Sequence, residues 1–207
     1  MMRPLLTLVA GAAAYGFAIG SVHSTTYALR NVAKFPALLM VTAAVCAPGF
    51  LLLTRLVAPT LGYAGVRSLV LGMTRDLALL LASLATVSFF LAHTLERASA
   101  SGLGQYPLFL SLNVGFIAVA GVTALVHRAR TLLARSDVAK WRGTSLLVLW
   151  LGLALAVGGQ WAWYLRPFFG VATIPADQTP FCLGTEPDFR GARSFYEALA
   201  HVVVPPR

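Results

Sequence analysis

Long apolar runs alternate with shorter polar stretches along most of the chain. Each run is close to the roughly 17–25 residues that a helix needs to cross the hydrocarbon core of a bilayer. No run shows the alternation of apolar and polar positions that is typical of a membrane β-barrel strand. A helix also satisfies its backbone hydrogen bonds within itself, as lipid requires. The runs, which we predict to be helices, are residues 4–22, 35–53, 77–95, 107–126 and 144–165.

The first run, 4–22, is the least hydrophobic, because Gly and Ala make up much of it. It barely meets the length of a membrane span. Three arrangements remain open for it: it spans the bilayer, re-enters from one side, or lies flat on the surface. The fold class predicted from the pattern is therefore an all-α polytopic bundle of four or five spans.

Residues 166–207 have a different composition from the bundle, 1–165. They hold six of the eleven prolines and four of the seven acidic residues, and they are too short and too rich in proline to build a core of their own. Ser194 and Glu197 form a capping pattern that starts helices, and Phe195 begins an apolar set at helical spacing. We expect a tail with one short amphipathic helix that lies on the membrane surface or against the bundle.

Composition supports lipid as the solvent. The chain is 58% hydrophobic and only 11% charged, whereas a soluble domain carries about 25% charged residues. The formal charge of +9 does not indicate a nucleic-acid partner, because the cations are scattered at segment ends rather than clustered on one face.

The distribution of Lys and Arg predicts the orientation. Five cations lie in 127–142 and three in 54–76, against two in 24–34 and one in 96–106. Since cations favour the cytoplasmic side, we expect the loops 54–76 and 127–142 to be cytoplasmic and the carboxyl-terminal tail to be extracytoplasmic.

Aromatic residues mark the end of the last run, which reads "WAWYLRPFFG". Trp161 and Trp163 suit the boundary between lipid and water, where an apolar ring meets hydrated carbonyl groups. Arg166 extends toward lipid headgroups, and the following proline ends the helix. The alternative is that Arg166 docks an acidic partner or a lipid phosphate.

Two pairs of small residues are spaced one helical turn apart: Gly16 with Gly20, and Ala154 with Gly158. Such pairs let two helix backbones approach closely. Both serve contacts within the chain or between chains, and we favour the first pair for a partner because its segment is too weakly hydrophobic to prefer lipid.

The stretch "WYLRPFFG" (163–170) together with "SFYEAL" (194–199) resembles a family of bacterial multi-pass inner-membrane proteins with no known activity. The stretches 15–42 and 106–121 fit the same pattern. The resemblance implies the spans, the tail and the bacterial inner membrane, with Phe195 and Tyr196 in the tail's contact helix. The segment 181–193 is longer and more charged than that family's usual tail, which suggests adaptation to a particular partner.

Reactive motifs are absent from the sequence. It contains no G-x-S-x-G elbow, no phosphate-binding loop and no G-x-G-x-x-G run, and its two cysteines and four histidines are scattered. We predict no catalytic, metal-binding or cofactor-binding residue, although bound lipids are expected. Asp76, at the entrance of the third run, is expected to pair with Arg75, and Asn113 and Gln160 within the runs are expected to form interhelical hydrogen bonds.

These observations favour a non-catalytic integral membrane subunit that scaffolds, anchors or stabilises a larger assembly of membrane proteins, with other chains or a second copy as partners. The alternative is a small-solute or ion transporter or channel that works as an oligomer. A water-accessible cavity lined by Asn113, Gln160 or Asp76 would favour the alternative. A membrane enzyme, with a site completed by a cofactor or a partner, is the least supported class.

The predicted orientation is testable in sealed, right-side-out vesicles. An added protease should cleave the tail after residue 166 and leave 127–142 intact, because the basic loop then faces the vesicle interior. Mass spectrometry of the protected fragments reads out the result. Cleavage within 127–142 with an intact carboxyl end would reverse the orientation.

Overall fold

The protein is a bundle of five helices in the computed structural model, which describes residues 2–22, 24–98, 106–134 and 138–165. Helix makes up 92% of these residues and they include no strand, so the all-α prediction is confirmed. The predicted tail, 166–207, lies outside the described residues. The helices are α1 (Met2–Gly20), α2 (Thr25–Val57), α3 (Tyr63–Ala98), α4 (Tyr106–Leu133) and α5 (Lys140–Leu165).

Four helices, α2 to α5, are long and apolar enough to cross a membrane. The apolar part of α1, Leu5–Gly20, is shorter than these four. The helix nonetheless packs against both α2 and α3, and Ala12, Tyr15 and Ile19 on its inner face are fully buried. The chain is therefore compatible with a multi-pass membrane protein in which α1 is an integral part of the bundle.

The helices extend well beyond the apolar runs. α2 has 33 residues and α3 has 36, which gives lengths of about 50 and 54 Å at 1.5 Å per residue, against a hydrocarbon core of about 30 Å. Residues 25–34, which lie before the second apolar run, form the first turns of α2. Its start is capped by the Ser24 hydroxyl, which accepts a hydrogen bond from the Tyr27 N–H.

The two basic loops are also mostly helical. α3 begins at Tyr63, α4 ends at Leu133 and α5 begins at Lys140, so the predicted loops are helical at 63–76, 127–133 and 140–142. Hydropathy marks the point at which lipid gives way to water, whereas Ala, Leu and Arg continue a helix on both sides of that point. The predicted boundaries were therefore limits of the apolar runs rather than helix ends.

Three pairs of packed helices run antiparallel. Gly16 lies beside Asn31 and Gly20 beside Tyr27, which sets α1 against α2. In the same way, α3 and α4 are antiparallel, because Gly72 meets Arg128 and Ser88 meets Asn113. The helix α5 is antiparallel to α2, with Trp150 beside Phe50 and Gly158 beside Thr42.

Two buried clusters hold the helices together. The first joins α1, α2 and α3, together with Ala120 of α4; its largest members include Tyr15, Phe35 and Leu81. The second lies at the other end of the bundle and contains residues of the 58–62 connection together with Leu146 and Trp150 of α5. The Trp150 indole N–H donates a 3.4 Å hydrogen bond to the Phe50 carbonyl oxygen. Because this second cluster contains Ala58 and Leu61 and packs against Val138, the connection between α2 and α3 and the connection between α4 and α5 lie at the same end of the bundle.

The outer surface of the bundle carries many large apolar side chains. Phe90 and Val119 are 66% and 68% exposed. Lipid solvates such a surface, whereas contiguous apolar surface of this extent is rare on a monomeric soluble protein.

Gly16 tests the close packing of α1 on α2. A Cβ atom at Gly16 would lie 2.8 Å from the Phe35 Cβ atom and against the Asn31 backbone. We expect Gly16→Val to lower the free energy of unfolding by roughly 1–3 kcal/mol, as overpacking does, when unfolding is followed in detergent micelles. Gly115→Val is the matched control, since no atom lies within 4 Å of the added Cβ there. Equal stability of the two variants would contradict the packing described.

Candidate functional site

Asn113 of α4 is the polar centre of the bundle and is fully buried. Its side-chain oxygen, Oδ1, accepts a 2.9 Å hydrogen bond from the Tyr15 hydroxyl and a 2.8 Å hydrogen bond from the Ser88 hydroxyl. Its Nδ2 atom donates to the Phe109 carbonyl oxygen at 2.9 Å. One amide therefore links α1, α3 and α4, and the interhelical hydrogen bonds predicted for Asn113 are confirmed.

The local sequence explains why this amide is held in place. Phe109 lies one helical turn before Asn113, so the carbonyl oxygen that accepts from Nδ2 belongs to the same helix. The Tyr15 ring is fully buried and packs edge-on against Phe35 of α2, with ring centroids 5.2 Å apart. Both acceptor positions of Oδ1 are thus occupied by helices other than α4, which leaves this oxygen no lone pair for a substrate or an ion.

Asp76 and Arg128 form an ion pair between α3 and α4. The Arg128 Nε and Nη2 atoms donate to the two Asp76 carboxylate oxygens at 2.5 and 2.7 Å. Gly72 makes room for this arginine, because a Cβ there would lie 3.1 Å from Arg128 Cδ. The ion pair predicted between Asp76 and Arg75 is therefore wrong. Adjacent residues of a helix point in directions about 100° apart and do not face each other.

A shallow cleft of about 280 Å³ adjoins this ion pair. Asp76 lines it, and the rest of its wall is mostly apolar. Of the three residues named for a water-accessible cavity, Asn113 and Gln160 line neither this cleft nor the second one described below. The remaining lining residues are Leu79, Leu80, Thr123, Ala124 and His127.

The two small-residue pairs face α2 of the same chain. A Cβ at Gly20 would meet the Tyr27 carbonyl oxygen at 2.7 Å, and one at Gly158 would lie 3.5 Å from the Thr42 methyl group. Ala154 packs against the second buried cluster. The close approach at Gly16 and Gly20 is therefore made within the chain and not with the partner that the sequence favours, whereas Gly158 is in ordinary van der Waals contact with α2.

Aromatic residues of the stretch "WAWYLRPFFG" lie in the last turns of α5, which ends at Leu165. Trp161 is half-buried and packs against the first cluster, the one that contains Tyr15, and its ring lies 6.0 Å from that of Tyr164. Trp163 is also half-buried, whereas Tyr164 is exposed. The predicted residues Arg166, Phe195 and Tyr196 lie outside the described residues.

Gln160 differs from Asn113. Its buried Oε1 atom makes no hydrogen bond to any part of the chain that the structure describes, so the interhelical hydrogen bond expected for this oxygen is not seen. Only 11% of the apolar window of α5 is buried, against 28% for α2.

Metal ligands and nucleophiles are sparse in the described ranges. No group of three or more His, Cys, Asp or Glu side chains in them is placed to hold a metal ion. Cys46 is a buried free thiol on α2.

No family model, no curated protein and no solved structure matches the chain. The resemblance to bacterial multi-pass membrane proteins therefore stays a prediction. Function has to be argued from the site itself.

Tyr15, Ser88 and Arg128 are the residues that sequence reasoning missed. A tyrosine within a weakly apolar helix and a serine in an otherwise apolar run are both weak signals, because neither indicates its partner. The pairing of Arg128 could have been predicted. Asp76 directly precedes the run 77–95 and Arg128 follows the run 107–126, so these opposite charges lie at the same end of two consecutive spans.

The network around Asn113 should contribute measurably to stability. Tyr15→Phe and Ser88→Ala each remove a hydrogen bond to Asn113 Oδ1, and the former also removes a longer one of 3.4 Å to the Asn113 carbonyl oxygen; we expect losses of about 0.6 kcal/mol each, with an upper limit near 1.7 kcal/mol. Asn113→Leu should cost more, because it leaves two buried hydroxyl groups without their acceptor. Ser83→Ala is the control, since that exposed hydroxyl bonds only to its own helix. Equal effects of Ser83→Ala and Ser88→Ala on unfolding would refute the role of the network.

Proposed function

We propose that this chain is a non-catalytic integral membrane subunit that scaffolds, anchors or stabilises a larger membrane protein assembly in the bacterial inner membrane. The observation that carries the proposal is an asymmetry. The polar groups around Asn113 are engaged with one another, whereas α5 has the smallest buried share of the four long apolar helices, 11% of its apolar window against 22–28%.

The exposure of α5 supports a lateral partner. Its buried residues are Gly143, Leu146 and Trp150, and all three lie in its first half. In its second half Leu155 is 55% exposed, and no atom approaches the Cβ position of Gly152. A glycine on an uncovered helix face lets another helix approach closely, which makes α5 the expected contact surface for another chain or a second copy.

The proposed orientation places the 58–62 and 134–139 connections in the cytoplasm. The two connections share one end of the bundle, and the chain on both sides of them is the richest in cations. The positive-inside tendency then assigns that end to the cytoplasm. The tail after residue 165 would be extracytoplasmic, on the side where α5 ends.

The alternative, a transporter or channel working as an oligomer, has less support. A pathway through the chain needs polar groups that are free to contact water or an ion, and the Asn113 side-chain oxygen is already engaged by two hydroxyl groups. Asp76 lines a cleft at the edge of the bundle, but it is held in an ion pair with Arg128.

Site-specific photocrosslinking in native membranes tests the proposed contact surface. A photoreactive residue at Leu155 of α5 should give an adduct of discrete mass, because a partner helix covers this position. The matched control is Val119 of α4, which is at least as exposed but belongs to the face that we assign to lipid. An adduct at twice the mass of the chain would identify a second copy as the partner.

Two results would count against the proposal. Equal crosslinking at Leu155 and Val119 would indicate random collisions in the bilayer. The absence of adducts at both positions, together with a monomer after mild extraction, would indicate that the chain works alone.

A further inference from the structure

A second cleft, of about 480 Å³, lies beside the ion pair between α3 and α4. Three arginines line it: Arg67 and Arg75 of α3 and Arg128 of α4. We propose that this cleft binds the headgroup of an anionic phospholipid that carries two phosphates, as cardiolipin does. The proposal is independent of the subunit role, since it concerns a lipid and a different face of the bundle.

The charges in the cleft are only partly balanced. Asp76 neutralises one arginine through its ion pair with Arg128. Neither Arg67 nor Arg75 makes an ion pair with any described residue, and both side chains are exposed. The three guanidinium groups and the one carboxylate thus leave a net charge of about +2 at this site, which matches a headgroup with two phosphates.

Arg128 is oriented for a second ligand. A guanidinium group has five N–H donors, and Asp76 accepts from two of them. The ion pair therefore fixes the plane of the guanidinium group and leaves three donors for a phosphate. Gly72 allows the side chain to cross α3 at close range, which keeps Arg128 in the cleft rather than extended into water.

The spacing of the arginines favours two phosphates over one. Arg67 and Arg75 are eight residues apart on α3, which corresponds to about 12 Å along the helix axis. Arg128 lies opposite Gly72, toward the Arg75 end of this stretch. Two phosphates joined by a short linker can engage both ends of such a row, whereas a single phosphate cannot reach both without drawing the side chains together.

The position of the cleft relative to the apolar run suits a lipid headgroup. Its lining residues on α3 fall between 63 and 75, just before the run 77–95 that we assign to hydrocarbon. Exposed Tyr63 at the start of α3 is typical of the interface between lipid and water. Basic pockets between spans on the cytoplasmic side are the places where two-phosphate and other polyanionic headgroups bind.

A neighbouring apolar surface is available to an acyl chain. The smaller cleft, with Leu79, Leu80 and Ala124 in its wall, lies further along α3 in the direction of the hydrocarbon. Asp76 lines the smaller cleft and Arg128 lines the larger one. The ion pair therefore stands between a basic surface and an apolar one, which is the division found within a phospholipid. This continuity favours a lipid over a soluble anion.

The test uses the full-length protein in mild detergent and native mass spectrometry, with cardiolipin as the titrated probe. The variant Arg67→Gln/Arg75→Gln should bind cardiolipin about 30-fold more weakly than the wild type, because it loses two cation contacts near the membrane surface. Arg128 is left intact, so that Asp76 keeps its partner. The matched control is Arg55→Gln/Arg130→Gln, which removes two exposed cations from the same end of the bundle and should change the affinity little.

A second variant separates the cleft from its charge. Ser68→Trp keeps every arginine and fills the cleft from an exposed position on α3, so it should also weaken cardiolipin binding. Thermal unfolding without added lipid should be the same for all variants, since none of the changed side chains is buried. Wild-type affinity in Ser68→Trp would place the lipid elsewhere and overturn the proposal.

Two further binding measurements distinguish a lipid headgroup from a soluble phosphate as the ligand. Phosphatidylglycerol at the same total phosphate should bind several-fold more weakly than cardiolipin, and inorganic phosphate should not displace cardiolipin. Displacement by inorganic phosphate would indicate a site for a soluble anion. Equal affinity for the two lipids, or equal losses in the cleft variant and the control variant, would reduce the effect to general attraction between a basic surface and anionic lipid.

Discussion

Hydrocarbon offers a polar group neither a donor nor an acceptor, so every such group within the bilayer must find its partner in the protein. Asn113 shows how this chain meets the requirement. Its amide accepts from α1 and α3 and donates to its own helix, so that three helices are fixed relative to one another at one point. The ion pair between Asp76 and Arg128 fixes α3 relative to α4 at a second point, at the end of the apolar runs. The order of α1, α3 and α4 depends on these two links, since apolar packing alone discriminates weakly among helices that are all apolar outside.

The fifth helix, α5, is held in the bundle in a different way. It rests on α2 through Trp150, Phe50 and the small residues near Gly158, and a smaller share of its apolar window is buried than in α2, α3 or α4. Polar contacts therefore fix α1, α3 and α4 relative to one another, whereas α5 is held at the side of the bundle mainly by apolar packing. In the proposed subunit role α5 contacts another protein, while the basic cleft between α3 and α4 binds a lipid headgroup. The two surfaces belong to different helices, so the chain can use both at once.

The sequence predicted the part of the fold that hydropathy controls. All five apolar runs are helices, because length and the absence of charges are properties of each run alone. The helix ends were predicted poorly, since residues such as Arg67 and Arg75 lie outside the hydrocarbon but continue a helix. The partners of polar residues were predicted least well. Asp76 pairs with Arg128 and not with Arg75, and Gly16 and Gly20 pack against α2 and not against a partner. Both outcomes depend on which helices become neighbours, and no local pattern in the chain encodes that. Tyr15 and Ser88 were missed for the same reason.

The central claim is that the middle of the bundle is closed to water around Asn113. Thiol labelling at Ser88 tests it most directly, with Ser88→Cys introduced into a chain whose Cys46 and Cys182 have been replaced by Ala and Ser. Ser88 is fully buried, whereas Thr94 on the same helix is exposed, so Thr94→Cys serves as the reference. The account predicts that a charged thiol reagent modifies the cysteine at 94 in intact vesicles and reaches the cysteine at 88 only after denaturation. Rapid modification at 88 in the folded protein would contradict it, because water and ions would then have access to the centre of the bundle.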